Sequence, residues 1–355
     1  MMTDIVDDGI LETAFTWLCQ RRREYPPDAD CWRFRRDWPN EKARLQAELL
    51  EGTYEIGLLS WVTRRDGQTV ELWSARDAVV LKAMALVLAE RLPASSRCYH
   101  LDGHGGAKAA VRDAMDLLPS HQFVMKTDVK SYYASIDHAR LLDRLALDIT
   151  DTRVLNLVTQ YLRRSVEGGG HYWSYSHGIA LGCPLSPVLG AFYLYELDVA
   201  LEQRGLCALR FMDDVLVLTP TRWKLRRAVR LVNEALAALE LAKAPNKTYI
   251  GRIANGFSWL GYHLGGGRLC LARTTWERFA TRIGRLYEQG ADTRRIGAYV
   301  QHWLRWVQAG WGHPGVWLRS INDKGSQAEG FLALCRVEEY WDCPLPPGLD
   351  AQFKT

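Results

Sequence analysis

Leu206-Cys207-Ala208-Leu209-Arg210-Phe211-Met212-Asp213-Asp214-Val215-Leu216-Val217-Leu218 decides how the chain is read. Two β-prone apolar runs flank a short polar centre, which predicts an antiparallel hairpin with Asp213 and Asp214 at its tip. Carboxylates set among apolar strands are costly unless cations or hydrogen bonds meet them, although a simple polar turn explains one such hairpin taken alone. A second segment shifts the balance. Phe123-Val124-Met125-Lys126-Thr127-Asp128-Val129 is another apolar strand ending on a carboxylate, so Asp128, Asp213 and Asp214 are expected at neighbouring strand ends.

Outward from these strands, Leu141 to Arg164, Val188 to Gln203 and Arg222 to Leu241 carry helical periodicity, and Phe257 to Leu264 reads as a further strand of the same sheet. The pattern predicts an α+β fold with helices behind an antiparallel sheet. Upstream, Ile10 to Arg22 and Glu41 to Glu51 are helical on either side of Pro26-Pro27. Tyr54 to Thr63 and Gln68 to Ser74 flank Arg64-Arg65-Asp66-Gly67, a hairpin signal with a basic tip. Asp77 to Arg91 reads as a buried helix, followed by the glycine-rich loop His100 to Gly106, which lacks Walker spacing, and by a helix from Ala107 to Leu118. Past residue 272 only helices are expected, Thr275 to Gln289 and Thr293 to Gln308.

Composition sets the outer bounds. With 48% hydrophobic and 24% charged residues the chain is expected to fold, and 355 residues suffice for two or three lobes. A net charge of +4 says little alone, but Arg21-Arg22-Arg23, the Arg222 to Arg230 cluster, and Arg278, Arg282 and Arg285 at helical spacing suit a polyanion or a solvated helix face equally. Eight cysteines without a C-x-x-C pair signal neither zinc nor disulfides, and Cys98, His100 and His104 lack a fourth ligand at a fitting spacing. The acidic start has no signal-peptide order and no stretch is long enough to span a bilayer, so a cytoplasmic protein without a membrane partner is expected.

Transfer of a nucleotide to a primer hydroxyl requires charge neutralisation on a triphosphate, and oxygen ligands at strand ends suit Mg²⁺ for this purpose. The ordered motifs resemble the reverse-transcriptase family, especially bacterial enzymes related to group II introns and diversity-generating elements. Arg76-Asp77 is similar to the first block and His100 to Arg112, with Gly105, to the second. Lys126-Thr127-Asp128 through Ile136-Asp137-His138 resembles the first metal-binding motif. Gly182-Cys183-Pro184-Leu185-Ser186-Pro187 resembles the Gly-x-x-x-Ser-Pro block, and Phe211-Met212-Asp213-Asp214 the aromatic-x-Asp-Asp signature. Asn246-Lys247-Thr248 and Phe257 to Tyr262, with Gly261, are similar to the two motifs that follow.

The resemblance implies a right-hand polymerase: an N-terminal helical extension (1–50), fingers (51–122, with a segment at about 139–180), palm (123–271), helical thumb (272–312) and a tail (313–355). It implies RNA-templated DNA synthesis with two Mg²⁺ ions, Mn²⁺ being an alternative, on an RNA template with a DNA or RNA primer and dNTPs. By the same resemblance Asp128, Asp213 and Asp214, helped by the Val129 carbonyl, hold the metals, and Lys247 protonates pyrophosphate. Tyr133 excludes a ribose 2′-hydroxyl, Leu181 and Gly182 approach the nucleotide, and Arg64 and Arg65 clamp its phosphates. Arg76, Gly105, Ser186, Pro187, Gly261, Arg278 and Arg282 are expected along the template and primer, while Asp137 is expected only to cap a helix.

The chain departs from the pattern in three places. Leu181 replaces the usual glutamine, which points to reduced fidelity; Phe211 replaces tyrosine; and the Arg-Pro of the second fingers strand is missing from Gln68-Thr69-Val70-Glu71. No endonuclease or zinc motif follows the thumb, so a stand-alone form is expected, serving a diversity-generating, retron-like, CRISPR-linked or phage-defence system with a cognate noncoding RNA or accessory protein. A catalytically silent RNA-binding scaffold and a template-independent DNA polymerase are the competing readings.

Overall fold

The computed structural model of the chain describes residues 1–63, 69–168, 170–265 and 268–310. Four helices open it: α1 (Met2–Ile5), α2 (Asp8–Arg21), α3 (Asp30–Arg36) and α4 (Trp38–Glu51). Asp7 accepts the free N–H groups of Gly9 and Ile10 at the start of α2, and Gly52, at φ 74, closes α4 in the left-handed conformation that glycine tolerates. The short helix α3, directly before α4, was not expected from the sequence.

The β1 (Leu59–Thr63) and β2 (Thr69–Leu72) strands form the anticipated hairpin, whose tip, with Arg64 and Arg65, lies outside the described residues. Strand pairing begins only at Leu59; upstream, Tyr54 donates its hydroxyl to buried Asp77 and the Ile56 N–H donates to the Gln160 side chain. The α5 helix (Ala75–Arg91) is capped by Ser74, whose hydroxyl accepts from the Asp77 N–H, and packs its apolar face on Leu11, Ala14 and Leu18 of α2. Next come α6 (Gly106–Leu117), β3 (Phe123–Thr127), α7 (Tyr132–Ser135), α8 (His138–Asp148) and α9 (Thr152–Leu162). Asp137 caps α8 as expected, accepting from the Arg140 N–H.

After α9 the chain adds β4 (Ser165–Gly168) and β5 (His171–Ser174), which sequence periodicity did not reveal because all four β5 residues are exposed. Both join the first hairpin in a sheet of order β2-β1-β4-β5, with β1 and β4 parallel. Helices α10 (Ser186–Tyr193) and α11 (Tyr195–Glu202) lead to β6 (Cys207–Phe211), β7 (Asp214–Thr219), α12 (Arg222–Ala238) and β8 (Tyr249–Arg252).

The second sheet has the order β6-β7-β3-β8 and is antiparallel throughout. Its central strands are buried on both faces, which is why Val215-Leu216-Val217-Leu218 reads as an unbroken apolar run. Met125, Val215 and Val217 face the layer containing α10, α11 and α12. Val124, Leu209, Leu216 and Leu218 face Phe257, Trp259, Tyr262 and Leu264. Each such buried aliphatic side chain contributes roughly 1.5–3 kcal/mol, so this sheet is a stiff platform.

The segment Phe257 to Leu264 corrects one expectation. It is not a strand of the acid-bearing sheet but two strands, β9 (Phe257–Trp259) and β10 (Tyr262–Gly265), which form a separate sheet with β11 (Arg268–Leu271). Leu260 and Gly261 between them have φ 47 and 88, and two successive left-handed residues close a tight hairpin. Helices α13 (Arg273–Glu288) and α14 (Thr293–Gln308) then form a small lobe around Phe279, Ile283 and Ile296. No helix among the described residues is long and apolar enough to cross a membrane.

Candidate active site

The β6–β7 hairpin ends at the pair Phe211 and Asp214, leaving Met212 and Asp213 as its two turn residues. Strand β3 runs beside β7 with Thr127 opposite Val215, so the next residue on each strand brings Asp128 alongside Asp214. Burial raises the Asp213 carboxyl above the usual range, and the Asp128 charge adds to the rise. Burial likewise pushes Asp214 up to about 6, with Asp128 and Asp213 adding to the effect against the charge of Lys126. One Asp214 oxygen, Oδ1, is sealed from solvent without a hydrogen-bond partner. An orphaned carboxylate oxygen beside two other acids fits a hard divalent cation, which favours oxygen donors.

Lys247 completes the group. It ends a single 3₁₀ turn, Pro245–Lys247, one residue before β8, and its Nζ lies 3.0 Å from each Asp128 carboxylate oxygen. The hydrogen bond to Asp128 raises the lysine pKa. Two backbone bonds fix the approach: Ala244 N–H to Asp128 O and Lys130 N–H to Ala242 O, both 2.8 Å. Val129 is buried and bridges to Lys243. Among the described residues no three His, Cys, Asp or Glu side chains form a ready-made metal cage. Asp128 acts electrostatically on Asp213 and Asp214, while Lys247 is its hydrogen-bonded partner.

Two clefts, each of about 670 Å³, flank the turn. The first is lined by Asp213, Met212, Tyr133, Leu181, Arg164 and Glu71. The second is lined by Asp128, Asp214, Lys126, Lys247, Gly261 and, from α13 and α14, Arg278, Trp303 and Trp306. Tyr133 lies in the first cleft with its hydroxyl sealed and unpartnered, and a Cβ on Gly190 would sit 3.4 Å from its ring. Leu181 is 79% exposed at the rim, and its neighbour Gly182 has φ 84.

The residues expected along the template and primer are placed as follows. Ser186 is fully buried, with its Oγ bonded to the Ala180 carbonyl and the Tyr161 hydroxyl, so that side chain holds the loop and does not face a cleft. Pro187 presents its carbonyl to His100. Arg76 is ion-paired with Glu41 and Glu48 and lies over the Tyr54 ring, joining α5 to α4. Gly105, at φ 83, starts α6, and an added Cβ would meet that of Ala109 at 2.5 Å. Gly261 packs under Trp306, where a Cβ would come within 2.9 Å. Arg282 lines a smaller groove, of about 450 Å³, with Arg278 and Arg285 along α13.

Sequence reading missed the residues behind the turn. Arg210 is buried on β6, paired with Asp198 of α11, and His100 contacts the turn from the glycine-rich loop. Burial, reinforced by Arg210, lowers the His100 pKa to about 4. An arginine inside an apolar strand was the available signal, since such a residue demands a buried partner. In the first cleft Arg164 pairs with Glu71, which also accepts from the Tyr175 hydroxyl.

The profile of the reverse transcriptase (RNA-dependent DNA polymerase) family matches residues 77–264, more than half of the chain. Two curated relatives, both the group II intron-encoded protein LtrA of Lactococcus lactis subsp. cremoris, one from strain MG1363, are 26% identical over 119 residues. That stretch is 34% of this chain and only 20% of each relative's length. Among solved structures, a partial Cas6-RT-Cas1–Cas2 complex and a Cas6-RT-Cas1–Cas2 complex match with 18% identity and a TM-score of 0.40. They cover 67% of this chain and 41% and 26% of those chains.

Proposed function

Because this chain belongs to the reverse transcriptase family, we propose that it is an RNA-directed DNA polymerase that extends a DNA or RNA primer with dNTPs on an RNA template. One observation carries this reading: Asp128, Asp213 and Asp214 lie on adjacent strand ends, with an unpartnered Asp214 oxygen and Lys247 bonded to Asp128. On this reading the acid-bearing sheet is the palm, the β2-β1-β4-β5 sheet with α5 and α6 the fingers, and α13–α14 the thumb.

Asp128, Asp213 and Asp214, with the Val129 carbonyl, would hold two Mg²⁺ or Mn²⁺ ions, which when bound neutralise triphosphate charge and activate the primer hydroxyl. Tyr133 forms the floor under the sugar and excludes a 2′-hydroxyl, while Leu181 leaves the rim without the polar contact of the usual glutamine. Lys247 is 57% exposed, so its ammonium can leave Asp128 and deliver a proton to the departing pyrophosphate. The second cleft receives the primer strand beside the Trp303–Trp306 face, which packs on Gly261, with Arg278 and Arg282 along its phosphates. Arg64 and Arg65 clamp the triphosphate. A cognate noncoding RNA or accessory protein completes a diversity-generating, retron-like, CRISPR-linked or phage-defence system in the cytoplasm.

Purified protein with an RNA template, annealed primer, dNTPs and Mg²⁺ should extend the primer, and an Asp213→Ala/Asp214→Ala variant should not. Equal extension by both proteins rejects the assignment. Template binding without extension by the wild type favours the scaffold reading, and extension without template favours the template-independent one.

A further inference from the structure

Met212, the first residue of the turn, has φ 56, in the left-handed region that side-chain-bearing residues rarely adopt. Such a conformation persists only when its surroundings impose it. Here both polar groups of the residue are gripped. The Met212 N–H donates to His100 Nδ1 at 3.0 Å, and Arg210 donates to the Met212 carbonyl at 2.9 Å. The second His100 nitrogen, Nε2, lies 3.1 Å from the Pro187 carbonyl. A carbonyl only accepts and an N–H only donates, so the two contacts are satisfied together by one form of the ring, the neutral tautomer with hydrogen on Nε2. The ring also stands edge-on to Phe211, with centroids 6.0 Å apart.

The opposite grip is anchored as firmly. Arg210 donates to both Asp198 oxygens and to the Ala191 carbonyl, and its backbone is bonded to the Arg97 carbonyl and the Tyr99 N–H. His100 thus connects three separate segments, the glycine-rich loop, the start of α10 and the acid-bearing turn. The half-buried ring has both nitrogens engaged on two different backbone segments, and Nδ1 also lies 3.4 Å from Cys98 Sγ.

We propose that His100 is a positioning residue for nucleotide transfer: its neutral imidazole holds Met212 from one side while Arg210 holds it from the other, and together they fix where Asp213 points. The inference rests on the reading of Asp213 and Asp214 as the acids of that reaction. It assigns the requirement to the acceptor at Nδ1, with the Pro187 contact serving to orient the ring.

Three variants separate the two nitrogens. His100→Asn places an amide oxygen near Nδ1, His100→Gln reaches only the Nε2 position, and His100→Phe keeps the ring without either. Under single-turnover conditions normalised to active enzyme, His100→Phe and His100→Gln should each lower kcat about thirty-fold or more, with KM for dNTP within about three-fold of wild type. His100→Asn should remain within about five-fold of wild-type kcat, because it retains the acceptor. Wild-type kcat in the Phe variant, or a Gln variant equal to or faster than Asn, overturns the proposal. If the Phe variant does not fold, the Asn and Gln pair decides.

Hydrogen–deuterium exchange of the peptide containing Phe211 to Asp214 gives a readout independent of turnover. Exchange should be faster in the Gln variant than in Asn or wild type, and equal exchange in all three overturns the proposal. A wild type that fails to extend any primer rejects the polymerase reading, while the exchange comparison still decides whether His100 holds the turn.

Discussion

Two ion pairs sit on either side of the acid-bearing turn, and they are built to opposite ends. Arg210 and Asp198 are 2% and 7% exposed, and the guanidinium is also bonded to two backbone carbonyls. In the other pair Asp128 is 11% exposed but Lys247 is 57% exposed. A sealed pair cannot exchange partners without leaving a charge stranded in a low-dielectric interior. A pair with one solvent-facing partner opens at little cost. The same carboxylate–cation chemistry therefore serves as a fixed strut when both partners are buried and as an exchangeable contact when one is not.

The largest expected effect tests Asp213, one of the two acids that belong to neither pair. Asp213→Ala should lower primer extension by about a thousand-fold or more, the loss of several kcal/mol of charge stabilisation, with little change in thermal stability. Substantial residual rate would place the essential acids elsewhere. Breaking the sealed pair comes next: Arg210→Met should destabilise the fold by about 3–5 kcal/mol in denaturant titrations, because Asp198 is left buried and unpaired. A loss below about 1 kcal/mol would mean that water reaches this pair, and the contrast would fail.

The open pair should show the reverse pattern. Lys247→Ala should reduce the single-turnover rate by about a hundred-fold, as for a general acid, yet change stability by less than about 1 kcal/mol. A large stability loss with unchanged rate would make Lys247 a strut as well. The smallest effect concerns Asp214, whose carboxyl burial holds at about 6 instead of 3.8. Between those values the folded state binds more protons than the unfolded one, so this group's contribution to stability falls as pH rises from about 4 to about 6 and is level above. Asp214→Asn should therefore stabilise the metal-free protein by about 1–2 kcal/mol at neutral pH and flatten that slope. Added Mg²⁺ should raise the melting temperature of the wild type more than that of the variant. Identical pH slopes would show that Asp214 is better solvated than its burial indicates.

How much was legible in the sequence follows the range of the interactions. The hairpin at Asp213 and the strand ending at Asp128 could be read because apolar runs and their interruptions are local signals. The α5 and α12 helices were legible for the same reason, as were the α13 and α14 helices. Phe257 to Leu264 misled because nothing local marks Leu260 for a left-handed turn, and the residue that follows it, Gly261, reads as an ordinary strand interruption. Strand β5 escaped because a strand exposed on both faces shows no alternation. At the site, the acids and Lys247 were visible as residue types in order. The roles of Arg76 and Ser186 were not, since each depends on partners distant in sequence: Glu41 and Glu48 for the first, Tyr161 for the second. His100 and Arg210 were hidden for the same reason.

One detail of the turn leaves a degree of freedom. The structure grips Met212 through its amide and its carbonyl, and the residue is among those that line the first cleft. Position 212 is thereby split into a fixed spine and an interchangeable tip. An unbranched replacement can reshape the cleft wall without loosening the grip, whereas valine or isoleucine would have to carry a branched Cβ through a positive φ.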